Sequence, residues 1–135
     1  MMDSIMQALL KRGAKYLVVQ GLPTTGCLPL AMYLAPVDDR DNLGCVKSVN
    51  NQSYSHNVVL QARLQDLRKQ FPQAVIVYAD YWNAYRRVME NPVKYGFKES
   101  FKACCGSRES PYNFDVFATC GTHNTSVCSN PSQYI

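Results

Sequence analysis

Long apolar runs are missing from this 135-residue chain, and so are a dominant charge and a basic leader. No stretch approaches the ~20 apolar residues that a bilayer-spanning helix needs, so no transmembrane segment is expected. Lys and Arg number 14 against 10 Asp and Glu, a formal balance of +4. The basic residues are scattered, and pairs such as Lys11-Arg12 and Arg86-Arg87 fall on candidate amphipathic helices. A nucleic-acid reader would concentrate them in a stripe with interleaved aromatics, so no nucleic-acid partner is expected. Met1 to Arg12 carries Asp3 early and lacks a basic segment followed by an apolar one, so it does not read as a signal peptide. Only two histidines occur, His56 and His123, and no Gly-x-Ser-x-Gly elbow is present.

What the chain does have is cysteine. Cys27, Cys45, Cys104, Cys105, Cys120 and Cys128 make an even set in a chain with many Asn, Gly and Pro loops. That pattern points to an oxidising compartment and three disulfides. The sequons Asn51-Gln52-Ser53 and Asn124-Thr125-Ser126 are candidate glycosylation sites and agree with secretion. Secretory chemistry without a leader leads to the expectation that the true beginning lies upstream of Met1. The competing reading of the sulfurs is a zinc site from Cys104, Cys105, Cys120, His123 and Cys128. Adjacent cysteines are poor geometry for one tetrahedral centre and no Cys-x-x-Cys knuckle occurs, so neither a metal nor any other cofactor is expected.

Hydrophobic residues make up 47% and charged residues 18%, enough for a core in one domain. Ser4 to Arg12 reads as a helix with Ile5, Ala8 and Leu9 on one face, Met2 and Leu10 alongside, and Gly13 as C-cap. Tyr16-Leu17-Val18-Val19 has no polar alternation and predicts a strand covered on both faces. A Pro/Gly loop follows, and Ala31 to Gly44 reads as a surface excursion with the cluster Asp38-Asp39-Arg40-Asp41. Cys27 and Cys45 bracket it, and a bridge between them would stabilise by ~3 kcal/mol in the chain-entropy model.

From about Ser48 to Phe71 a long helix is predicted. Leu60, Leu64, Leu67 and Phe71 recur at spacings of three and four, Asn57 and Ser53 continue the line, and Pro72 ends the helix. Ala74 to Ala79 is a second buried-type strand, and Tyr81 to Glu90 a short helix stopped by Asn91-Pro92. The alternation argues for parallel strands joined by right-handed crossovers. Two strands alone cannot make a stable open sheet, so the expectation is part of a larger one. From Tyr95 onward periodicity fades, and the segment should rely on disulfides. Residues 1–92 and 93–135 are read as the regular part and the Cys-rich tail of one partial domain.

Gly21-Leu-Pro-Thr-Thr-Gly-Cys-Leu-Pro29 resembles a loop of plant GDSL-type esterases and lipases, members of the SGNH hydrolase superfamily. Asn42-Leu-Gly-Cys45, His56-Asn57, Ile76-Val-Tyr-Ala-Asp80-Tyr81, Asn91-Pro92 and Tyr95-Gly96-Phe97 follow in the family's order. So do Cys104-Cys105-Gly106, Tyr112-Asn113, Cys120-Gly121 and Cys128-Ser-Asn-Pro131, and the match spans essentially the whole chain. Thr24-Thr25 stands where the family usually has a proline beside Pro23.

The resemblance implies an α/β fold: part of a three-layer α/β/α, flavodoxin-like parallel sheet, with two strands present and an irregular disulfide-rich tail. It implies hydrolysis of carboxylic esters, lipid or acyl, through a serine acyl-enzyme, and a secreted parent protein. The family's Gly-Asp-Ser-Leu box, its oxyanion-hole glycine and Asn-Asp box, and its Asp-x-x-His are not found here. No catalytic residue is therefore assigned, and the chain is expected to be inactive alone. His123 lies three residues after Cys120 rather than after an Asp, so it does not match the family's base. Leu22, Pro23, Thr24 and Thr25 are expected to form a substrate-pocket wall, joined by Asp80 and Tyr81 at the same end of the sheet. The alternative function is a non-catalytic remnant or interaction module.

Overall fold

The computed structural model describes residues 2–107, 111–123 and 125–135. Helix α1 (Met2–Lys11) leads into strand β1 (Tyr16–Gln20), and helix α3 (Lys47–Gln70) crosses over to strand β2 (Val75–Ala79). Helix α4 (Tyr81–Glu90) follows directly. The strands pair in parallel, Leu17 against Ile76 and Val19 against Tyr78, as the alternation of apolar runs with helical periods requires. Asp80 caps α4 by accepting the backbone N–H of Asn83 at 3.1 Å, which fixes the start of that helix where the sequence placed it. Gly13 adopts φ +94° beyond the end of α1, the left-handed conformation that suits a glycine C-cap.

The core lies on one face of the sheet. Val19 and Ile76, with Leu17 and Tyr78 beside them, pack against Met6 and Leu10 of α1 and Leu60, Leu64 and Leu67 of α3. Two expectations are corrected here. Ile5 and Leu9, expected to lead the buried face of α1, are exposed, while Met6 and Leu10 one position round the helix are buried. Ile5/Leu9 and Met6/Leu10 are equally good i, i+4 pairs, and the docking of α1 on the sheet selects between them. The strands, expected to be covered on both faces, are covered on one: Tyr16 is 79% exposed and Val18 70%, with Val75 and Val77 about half exposed beside them. Arg68 of α3 donates from Nε to the Ile76 carbonyl at 2.8 Å, answering one backbone acceptor of β2.

The excursion after the Pro/Gly loop is more regular than the sequence suggested. Pro29–Leu34 forms a short helix, α2, with Pro29 in its first turn, where a missing N–H costs nothing. Its six residues are too few for a periodic signal. Three disulfides are present: Cys27–Cys45, Cys104–Cys128 and Cys105–Cys120, with Cα separations of 4.5, 4.9 and 5.5 Å. The first is the expected staple; the other two tie the tail together beside a two-residue antiparallel pairing of Cys105–Gly106 with Ser126–Val127. With each sulfur in a disulfide, no thiolate remains for the zinc alternative. No helix of the described residues is long and apolar enough to cross a membrane.

Candidate functional site

Because β1 and β2 are parallel, their carboxyl ends emerge side by side. Gly21 prolongs the ladder by donating its N–H to the Ala79 carbonyl at 3.1 Å. There the chain must pass close to Tyr78 and Asn57: a Cβ on Gly21 would collide with the Tyr78 hydroxyl and lie 2.9 Å from Asn57 Oδ1. Only glycine fits that approach.

The loop that follows is clamped by the polar half of the α3 stripe. Asn57 accepts the Leu22 N–H with Oδ1 and donates Nδ2 to the Leu22 carbonyl, both at 2.8 Å. One turn nearer the start of α3, the Ser53 hydroxyl bonds the Thr25 hydroxyl and also donates to the Val49 carbonyl at 3.2 Å. Asn50 accepts the Gly26 N–H at 2.9 Å and donates to Asp41 Oδ2 at 2.9 Å. Asp41 Oδ1 in turn accepts the N–H groups of Leu43 and Cys45 at 2.9 and 3.0 Å. All three α3 side chains are buried. A loop crossing a helix brings backbone donors and acceptors that must be answered, which is why leucines give way to Asn50, Ser53 and Asn57 along one helical face. The sequence showed the line but not its purpose, and Asp41, grouped with the exposed charge cluster, was not recognised as part of the clamp.

The six wall residues are placed as follows. Leu22 is partly exposed with its backbone held by Asn57, and Pro23 is half-buried. Thr24 is 1% exposed, and its Oγ1 is buried with no hydrogen-bond partner. Thr25 is half-buried against Ser53. Asp80 and Tyr81 are exposed at the end of β2, where Asp80 serves as the α4 cap. Two clefts flank the loop. Thr25 belongs to an apolar one of about 510 Å³ along α2, with Leu28, Leu30, Leu34, Pro36 and Val49. Thr24 belongs to a smaller one of about 150 Å³, whose wall includes the clamp residues Asp41 and Asn50 together with Leu43, Lys47, Trp82 and Arg86. Leu22, Pro23, Asp80 and Tyr81 line neither cleft.

His56 is exposed on α3 and His123 is exposed in the tail. Burial, and secondarily the Asp80 charge, raises the Tyr78 phenol above its ordinary value of 10.0. Burial likewise raises Tyr85, with Tyr81 adding to it. Among the described residues no group of three or more His, Cys, Asp and Glu side chains could hold a metal ion. Asn51 is exposed on α3, and Asn124 lies outside the described residues.

Comparison with known proteins places these features in context. The family model described as GDSL-like Lipase/Acylhydrolase matches residues 2–127. A GDSL esterase/lipase of Arabidopsis thaliana is 62% identical over 130 residues, which are 96% of this chain and 34% of the relative. Acetylajmalan esterase 2 of Rauvolfia serpentina is 42% identical over 127 residues, 94% of this chain and 35% of that protein. Acetylajmalan esterase 1 of the same plant is 40% identical over 129 residues, 94% and 34% respectively. The chain thus spans about a third of the length of the curated relatives it matches.

Proposed function

This chain belongs to the GDSL esterase/lipase family, and from that membership we propose that it forms the pocket-wall portion of a serine ester hydrolase. In the whole enzyme a serine attacks the carboxylic ester carbonyl, donors hold the oxyanion, and water then releases the acyl group. These steps need a nucleophile, a base with its orienting acid, and oxyanion donors. The 135 residues hold no Gly-x-Ser-x-Gly elbow, and both histidines, His56 and His123, are exposed. The reading therefore assigns the reacting groups to residues outside these 135 and treats the chain alone as inactive.

The observation that carries the proposal is the clamp. Three buried polar side chains of α3, two glycines and a disulfide hold one loop rigidly at the carboxyl ends of two parallel strands. Ligands of open α/β sheets bind in the crevice outside those ends, and a preformed wall lowers the cost of ordering a substrate. Leu22, Pro23, Thr24 and Thr25 form the wall in this reading, with Asp80 and Tyr81 at its margin. The apolar cleft beside Thr25 suits the hydrocarbon part of an ester. A three-layer α/β/α sheet is supported by the bare face of β1 and β2, whose Tyr16, Val18, Val75 and Val77 suit a covering layer. Residues 1–92 and 93–135 then belong to one domain, the tail being fastened by its own two disulfides.

Two measurements test this. The purified chain with p-nitrophenyl acetate is expected to give no turnover above a heat-treated control, and turnover would overturn its assignment as a non-catalytic portion. A chimera in which this chain replaces the matching third of the Arabidopsis relative is expected to hydrolyse the same ester. A folded but inactive chimera would reject the wall assignment in favour of an interaction module.

A further inference from the structure

The three disulfides lie in unlike surroundings. Cys27 and Cys45 are both 0% exposed, with Met89, Tyr85, Phe101 and Ile135 packed about them. Thiol–disulfide exchange needs a thiolate to reach a sulfur, so this bond is closed to solutes while the chain stays folded. Cys104 and Cys128 are half-buried, and backbone hydrogen bonds brace them. The Cys128 N–H donates to the Cys104 carbonyl at 2.6 Å, beside the pairing of Cys105–Gly106 with Ser126–Val127. Cys120 is exposed, and its surroundings are local turns. Ala118 donates its N–H to the Asp115 carbonyl at 3.3 Å, and Thr122 donates to the Thr119 carbonyl at 3.1 Å. The Cys105–Cys120 bond, across 15 residues, ties this stretch to the Cys105–Gly106 strand.

The stretch is anchored at its other end as well. The Tyr112 carbonyl accepts the Ala103 N–H at 2.8 Å, and Asn113 donates Nδ2 to the Ala103 carbonyl at 2.7 Å. Gly106 packs so closely there that a Cβ would collide with the Asn113 carbonyl. Strung between Asn113 and Cys120, Phe114 stands edge-on to Tyr33 of α2, with ring centroids 6.0 Å apart. We propose that Cys105–Cys120 is a redox latch, opened by a small dithiol while the other two bonds stay closed, and that its opening releases Phe114 from Tyr33. A thiolate of the dithiol attacks Cys120 Sγ, the S–S bond breaks, and Cys105 leaves as a thiolate that takes up a proton. The second thiol loses its proton and attacks the mixed disulfide. Cys120 then leaves as a thiol and the dithiol ends as a cyclic disulfide, having passed two electrons and two protons to the chain. One edge-on aromatic contact is too small to hold the segment once it gains the freedom of an open chain. The latch lies outside the wall and the clamp, so its failure would leave the ester-hydrolase reading untouched.

Dithiothreitol titrated against the monomeric, disulfide-bonded chain, with N-ethylmaleimide trapping and peptide mass mapping, reads which sulfurs open first. Cys105 and Cys120 are expected to be labelled while Cys27, Cys45, Cys104 and Cys128 remain bonded. In that species the nuclear Overhauser contact between the Phe114 and Tyr33 rings should be lost. Reoxidation of the untrapped chain should restore it. The Cys105→Ser, Cys120→Ser double variant should show the Tyr33 ring resonances of the reduced chain without any reductant. Labelling of Cys104 and Cys128 before or together with Cys105 and Cys120 would overturn the proposal. So would a chain opened at Cys105 and Cys120 whose Phe114–Tyr33 contact persists. Both outcomes are read on the native sequence, so they decide the matter even if the double variant fails to fold.

Discussion

Single side chains decide how the loop leaving β1 is held. Asn57 answers both backbone groups of Leu22 at 2.8 Å, and truncation leaves a donor and an acceptor without partners. Asn57→Ala is expected to cost about 2–3 kcal/mol, read as a lower urea midpoint at unchanged slope. Asn57→Asp keeps the acceptor and loses the donor, so it should not restore the stability. Tyr78 presents the reverse case, because its hydroxyl is buried without a hydrogen-bond partner. Tyr78→Phe removes a desolvated polar atom and is expected to be neutral or stabilising by up to about 1 kcal/mol. Burial raises its pKa above 10.0, so the stability tied to the neutral phenol is complete below pH 10 and is lost as pH climbs through the folded value. The alkaline decline in melting temperature should therefore be shallower in Tyr78→Phe, with Tyr85, shifted in the same direction, sustaining what remains.

At the scale of elements, α3 is two helices in one. Its later turns bury Leu60, Leu64 and Leu67 against the sheet, and its earlier turns bury Asn50, Ser53 and Asn57 against the loop. The periodicity of the stripe was legible from the sequence, since the same 3.6-residue repeat serves both halves. That the polar half grips the loop was not, because nothing local pairs Asn57 with Leu22, 35 residues away. The Cys27–Cys45 disulfide closes the other side of the clamp across 18 residues. Replacing both cysteines by serine is expected to cost about 3 kcal/mol in calorimetry, and to loosen the Asp41 turn that bonds the Cys45 N–H. Helix α2 escaped sequence reading for a different reason: six residues bury one side chain, Met32, and give no repeat to count.

For the whole molecule, coverage is uneven. Apolar residues of β1 and β2 on the face away from α1 and α3 are exposed, Tyr16 and Val18 most of all. Exposed apolar sheet surface favours association. The isolated chain is expected to show concentration-dependent self-association in sedimentation velocity. The Val18→Lys, Val77→Lys double variant should abolish it while changing unfolding stability by no more than about 1 kcal/mol. Equal association in both would remove the sheet face as its cause.

By itself the sequence determined the three longer helices and the two central strands, that those strands are parallel, that Cys27 and Cys45 are placed to pair, and which family the ordered motifs belong to. Those properties rest on local periods, on turn residues and on short loops, all of which a linear chain displays. Only the tertiary structure decided which of two apolar lines on α1 is buried, that one face of the sheet stays bare, and how the four other cysteines pair. It also decided that Asn50, Ser53, Asn57 and Asp41 form one clamp around the Gly21–Pro29 loop. Those outcomes depend on partners far apart in sequence, whose backbone donors and acceptors become visible only when helix and loop meet.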